Sequence, residues 1–371
     1  MMTAITQTAP GLGWVFGKSF QRMRSLMLLF SFLFLLAMPI ALLIIGRDNY
    51  LTLVSSYNFL EPVFREQNLN QVLWPLHLLL ALISLVAVAV LASAGFRTFY
   101  LQNAVDRESS MPLGSNRQFL GRALALLAAF CFIFAVNAAV TFAVFAGWGK
   151  IAHFFTYSTA YLRLFAATLE LLAFSLVFLA LSGTLFDAVL TCVGIQFAWA
   201  SSVFHILGMT NRLTDLETDI LWLLAPAARL FIPILLPVSA WQSLVMIVFW
   251  SIMAWFFYKK RPAEYAGVRN GQLPWYPVLQ PFFVLLGGTL LGSFVHGLFA
   301  GEQSTLRSPV FYMGLVAGAL LGQVVSTVVS GKQLRKTKIA KEILPILGGL
   351  TFFALMTGLV CLCMAPAATP W

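Results

Sequence analysis

The sequence predicts an all-α, polytopic membrane protein with about nine transmembrane helices. Three observations predict it. Of 371 residues, 60% are hydrophobic and 10% are charged, whereas a soluble domain carries about 25% charged residues. Such a chain cannot clothe a water-facing surface of its own size. That excludes a soluble enzyme, and the same balance excludes a disordered chain. The apolar residues also gather into long runs, each near the roughly 20 residues that a helix needs to cross a bilayer. Finally, the runs do not alternate apolar and polar residues as the strands of a membrane barrel would. Helices, which satisfy their own backbone in lipid, are what remains.

Residues 1–24 read as a cytoplasmic tail followed by an interfacial helix. Leu12, Val15, Phe16, Phe20 and Met23 recur at helical spacing, with Lys18, Gln21 and Arg22 on the other side. That pattern suits a helix lying in the plane of the membrane interface. Spans are then expected at about 25–45, 72–95, 121–146, 163–181, 185–208, 240–258, 279–299, 309–330 and 345–364. Ser182-Gly183 reads as a tight turn between the fourth and fifth.

Two connecting segments stand out. The loop at 97–122 is too polar to span; Ser109 or Ser110 suits the cap of a short helix and Pro112 punctuates it. The outer segment 209–239 contains an apolar stretch broken by Pro226, Pro233 and Pro237. Proline removes a backbone donor, and broken backbone at membrane depth survives only where protein or a water-filled cavity shields it. Short helices dipping into the outer leaflet are expected there. The chain thus divides into a six-span core over 25–258 and a basic loop with three further spans over 259–371. Gly288 and Gly292 form a GxxxG pair, and Gly314, Gly318 and Gly322 a longer stripe. Both are suited to close helix packing within the chain or to dimerisation.

The net charge is +10. With the N-terminus inside, every Lys and Arg falls in an inner segment except Arg47, Arg65, Lys150, Arg163, Arg212, Arg229 and Arg307. This bias predicts an N-in, C-out topology and accounts for the basic charge without nucleic acid. Cys131, Cys192, Cys361 and Cys363 all lie in apolar runs and read as small buried hydrophobes.

Most catalytic chemistry finds no footing. Gly13 to Ser19 imitates a phosphate-binding loop but has three residues between the glycines where the motif needs four, and no strand precedes it. ATP binding by this chain is not expected. His77, His153, His205 and His296 are scattered, without metal-ligand or triad spacing. No metal or cofactor is expected in this chain. The ionisable and polar groups within spans matter more: Asn137, Glu170 and Asp187. A charge in hydrocarbon costs at least about 2.5 kcal/mol and so faces protein or water. These three are candidates for lining a substrate path, with a hydrogen-bonded packing role as the alternative.

Four stretches carry a resemblance. They are Ala104-Val105-Asp106 with Ser110-Met111-Pro112-Leu113 and Phe119-Leu120-Gly121-Arg122; Tyr258 to Gly267; Leu181 to Thr184; and Leu224 to Leu230. Together they resemble permease subunits of ABC-2 type transporters of Gram-positive bacteria, some of which carry an added extracellular domain. The resemblance implies a membrane subunit of an ATP-driven exporter in the bacterial cytoplasmic membrane. Its expected partners are a separate ABC ATP-binding subunit, which would hold ATP and Mg, and a second copy or a related permease. It further implies that Arg107, Ser110, Met111, Pro112, Leu113, Arg117 and Phe119 couple to that ATPase, with a secondary contact through Arg261 and Glu264. The cargo would be a hydrophobic or amphipathic compound, a peptide or a lipid. A proton-coupled transporter working through Glu170, or a membrane sensor or immunity protein, are the alternatives.

Overall fold

The computed structural model describes residues 11–56, 65–101, 103, 105–106, 114–209, 225–231, 240–268, 273–299, 309–329, 345–351 and 354–355. Every element among them is helical. Helix α1 runs Leu12–Ile45, α2 Arg47–Ser56, α3 Arg65–Phe96, α4 Ser115–Gly147 and α5 Ile151–Leu181. They are followed by α6 Leu185–Met209, the single turn α7 Ala228–Phe231, α8 Ala240–Lys260, α9 Tyr276–Phe299 and α10 Pro309–Val329. Among the described residues seven helices (α1, α3, α4, α5, α8, α9 and α10) are long and apolar enough to cross a membrane. The chain is a multi-pass membrane protein. Helix α6 follows the fifth expected span, and the ninth, 345–364, falls largely outside the described residues.

The expected interfacial helix is corrected by the structure. Residues 12–24 are the opening turns of α1 and continue without a break into the span. Between Leu12 and Leu35 there is no Pro to turn the chain, and the stripe Val15, Ser19, Met23, Met27 is buried. A Cβ on Gly121 would come 2.9 Å from Val15 Cβ, so the small residue on α4 lets α1 press against it. Leu28, Leu29 and Phe32 lie on the exposed side, where lipid is the natural solvent. Near the far end of α1, Pro39 lacks the N–H that an α turn requires, and Leu36–Ile40 relaxes into π register.

By contacts the chain forms two compact units, residues 1–181 with 229–267, and residues 182–228 with 268–371. The expected division at 258 follows the sequence, whereas this grouping follows contacts. Within the second unit α6 packs against α9, because Gly194 leaves room for the Phe283 ring: an added Cβ would lie 2.9 Å from it.

In the first unit α1 and α4 run in one direction, and α3, α5 and α8 run in the other. One end gathers the start of α1, the end of α3, the start of α4 and the ends of α5 and α8; Lys18, Arg97, Arg117, Lys259, Lys260 and Arg261 lie there. The opposite end is pinned by α2. Tyr50 is buried against the rings of Phe145 and Trp148, and its hydroxyl meets His153 Nδ1 at 3.0 Å. There α4 stops in a C-terminal glycine motif. Gly149 takes φ +70°, and the N–H groups of Gly149 and Lys150 reach back to the carbonyls of Ala146 and Phe145.

In the second unit the glycines of α9 and α10 face one another. A Cβ on Gly287 or Gly318 would run into the other's backbone carbonyl, and one on Gly314 would lie 2.9 Å from Gly292 Cα. Gly288 and Gly322 are similarly closed by Leu315 and Phe283 backbone. The stripe is spent on close packing inside the chain. Tyr276 closes the pair, its hydroxyl donating to the Ser326 carbonyl at 3.0 Å.

Candidate functional site

The site begins with an economy of charge. Few ionisable side chains lie within the spans, and each must find a partner. Glu170, on the buried face of α5, finds Arg229. One guanidinium nitrogen, Nη1, donates to both carboxylate oxygens, at 3.0 Å to Oε1 and 2.9 Å to Oε2. The two side chains are 0% and 1% exposed, so the pair is cut off from solvent. Of the two readings the sequence left for Glu170, this geometry is that of a charge paired within protein. By sequence Arg229 counts among the outer basic residues, with no partner role assigned. The signal that could have found it is its place in an apolar proline-broken stretch, where an unpaired guanidinium would be ruinous.

Asn137 is also buried, and its amide donates to the Phe34 carbonyl at 2.7 Å. That donor arrives just before the turn that Pro39 loosens, so a side chain on α4 supplies backbone polarity where the helix is irregular. Asp187 sits in the first turn of α6; its N–H donates to Thr184 Oγ1 at 3.1 Å, which makes Thr184 the cap of that helix. Asn137 and Glu170 belong to the first unit and Asp187 to the second.

At the basic end of the first unit, two guanidiniums flank one ring. Arg122 lies 4.1 Å from the centre of Phe99 and Arg261 lies 5.7 Å from it. Phe99 and Phe119 each pack in a tilted contact with Tyr258 at 5.0 Å between ring centres, and Phe96 closes the group at 5.1 Å from Phe99. Arg261 donates to two carbonyls, Leu179 at 3.1 Å in the last turn of α5 and Phe99 at 3.3 Å in the turn after α3. A carbonyl in the last turn of a helix, as at Leu179, carries the partial negative charge of the helix end. Burial pulls the Arg261 guanidinium below the ordinary arginine value, and Tyr100 and Tyr258 pull it back up. Tyr100 itself donates to Leu179 O at 2.9 Å.

This arrangement places two of the residues expected at the coupling surface. Phe119 was expected to meet a partner but is buried in the aromatic group, because α4 turns that face inward. Arg261 was expected as a secondary contact but is turned onto backbone carbonyls. Arg117 and Glu264 are exposed. Arg107, Ser110, Met111, Pro112 and Leu113 lie outside the described residues. Phe99, Tyr100 and Arg122 had no assigned role; the clue was a run of aromatic and basic residues at the end of a span.

Beside this cluster is a groove of about 430 Å³ formed by α4, α5 and α8. Leu120, Leu124 and Leu127 line one wall, Leu169 and Leu172 the floor, and Ile247, Ser251 and Trp255 the other wall. Its mouth is bridged by Trp255 Nε1 donating to Asn116 Oδ1 at 3.2 Å.

Among the described residues no three His, Cys, Asp or Glu side chains gather as metal ligands. Neither Cys131, which is exposed, nor Cys192, which is buried and accepts from Gln196 Nε2 at 3.3 Å, is joined in a disulfide among the described residues. No protein-family model, curated protein or solved structure matches the chain.

Proposed function

We propose that the chain is the membrane-spanning subunit of an ATP-driven exporter, built like the ABC-2 type permeases it resembles. It lies in the bacterial cytoplasmic membrane with its N-terminus inside, beside a second copy or a related permease. A separate ATPase subunit docks near the start of α4, and the cargo is a hydrophobic or amphipathic compound, peptide or lipid. The observation that supports this most is the coupling of an exposed start to a buried relay. Residues 114–117 are exposed, and within two turns Phe119 and Arg122 lock into the aromatic cluster that joins α3, α4, α5 and α8. Close-packed aromatic interiors pass on displacement rather than absorb it. A push on the first turn of α4 therefore moves the ends of four helices together. Proton coupling through Glu170 is less well supported, since that carboxylate already has a cation at 2.9 Å.

The deciding experiment is affinity purification of the tagged full chain from its native membranes in mild detergent, with mass spectrometry and an ATPase assay. A stoichiometric ATP-binding subunit with vanadate-sensitive hydrolysis is expected. A chain that purifies without any ATPase overturns the proposal.

A further inference from the structure

The groove between α4 and α8 has a chemical polarity along its length. On α8 its wall is written in steps of four: Ile247, Ser251, Trp255. The next step is Lys259, exposed, with its ammonium 5.5 Å from the Trp255 ring. The apolar stripe therefore ends in a cation held over the last aromatic residue. Across the mouth, Asn116 accepts the Trp255 indole N–H, and exposed Arg117 follows it in the chain. Among the described residues no carboxylate lines the groove. On α4 the lining extends from Asn116 to Leu127, about 16 Å of helix at 1.5 Å per residue.

We propose that this groove holds one acyl chain of an anionic membrane phospholipid, its phosphate seated at Lys259 with Asn116 and Arg117 at the rim. The apolar length takes a hydrocarbon tail, and the open side faces the bilayer that supplies it. The collar provides what a phosphate at headgroup depth requires: a lysine ammonium, an amide and a guanidinium. The indole bridges the two zones, apolar on its face and polar at its N–H. A transported amphiphile would pass through; a structural lipid stays along this lining with its headgroup at the cation. The site does not depend on the export reading, because lipid retention is measured without an ATPase.

Lys260 offers a matched control. It carries the same charge one residue on, over Phe256 at 4.2 Å, and Phe256 is not part of the groove lining. The test is native mass spectrometry of the purified full chain. It is titrated with phosphatidylglycerol or phosphatidylcholine of identical acyl chains, for the wild type and for Lys259→Glu, Lys260→Glu and Ser251→Trp. The wild type is expected to retain phosphatidylglycerol about fivefold better than phosphatidylcholine, the factor that one lysine near an anionic surface supplies. Lys259→Glu is expected to abolish that preference and Lys260→Glu to keep it. Ser251→Trp, which fills the groove, is expected to lose retention of both lipids while its melting temperature stays within a few degrees of wild type. Equal retention of the two lipids by the wild type overturns the proposal. So does an equal loss in the two lysine variants, which would reflect surface charge alone, or unchanged retention in Ser251→Trp.

Discussion

Arg229 Nη1 sits astride the Glu170 carboxylate, within 3.0 Å of both oxygens, and neither side chain reaches solvent. A pair in this position is costly to break and cheap to replace. Glu170→Leu or Arg229→Met alone should destabilise the protein by about 3–5 kcal/mol by stranding a buried charge. The double variant should recover most of that loss. Thermal unfolding in detergent checks it; a double variant as unstable as the sum of the singles would remove the pairing from the account.

Arg261 ties the last turn of α5 to the turn after α3 through two carbonyls. Arg261→Gln should cost about 1.5–3 kcal/mol, the range for hydrogen bonds to a charged group. Amide exchange should quicken at the ends of α3 and α5 and stay unchanged around Tyr50. Uniform acceleration across the chain would contradict the local role.

Gly318 and Gly297 lie on neighbouring elements with opposite surroundings. A Cβ on Gly318 meets the Gly287 backbone, whereas one on Gly297 meets nothing within 4 Å. Gly318→Ala should cost about 1–3 kcal/mol through overpacking. Gly297→Ala should be neutral or slightly stabilising, since alanine is the better helix former. Similar melting temperatures for the two would show that the stripe is not closely packed.

His77 is 1% exposed and lies edge-on to Tyr157 at 6.4 Å between ring centres. Among the described residues neither of its ring nitrogens, nor the Tyr157 hydroxyl, has a hydrogen-bond partner. A buried polar group without a partner costs about 1–3 kcal/mol, so His77→Phe should raise the melting temperature. If it lowers stability instead, an internal water satisfies the imidazole.

Arg117 is exposed at the start of α4 where Phe119 is not. Arg117→Glu should reduce co-purification of an ATPase subunit several-fold without loss of the folded chain. Phe119→Asp cannot make that distinction, because it buries a charge among aromatic rings. Unchanged co-purification in Arg117→Glu would move the docking surface elsewhere.

The spans were legible because hydropathy is written residue by residue. Eight of the expected runs coincide with helices, although α5 begins at Ile151 rather than 163. That early start was hidden by Thr156, Tyr157 and Ser158, whose polar atoms lower local hydropathy. In a helix, Thr156 and Ser158 hydroxyls simply bond the preceding turn. The partners were not legible. Glu170 and Arg229 are far apart in sequence, and no periodicity joins them. The inward turn of Phe119 depends on rings from α3 and α8, which a reading of one loop cannot supply. The grouping of α6 with α9 rests on a glycine that looks ordinary until Phe283 is placed against it.

The π turn at Leu36–Ile40 has a consequence for how α1 tolerates length changes. In π register an N–H reaches back five residues; with one residue removed from inside the turn, the same two groups are four apart, as in an ordinary α turn. Deleting Pro39 therefore converts the segment to regular helix while the faces before and after it keep their phase. A deletion elsewhere in α1 would rotate everything beyond it by about 100° and swing Tyr50 away from His153. The irregular turn is thus the place in this helix where the reading frame of its faces can gain or lose a residue.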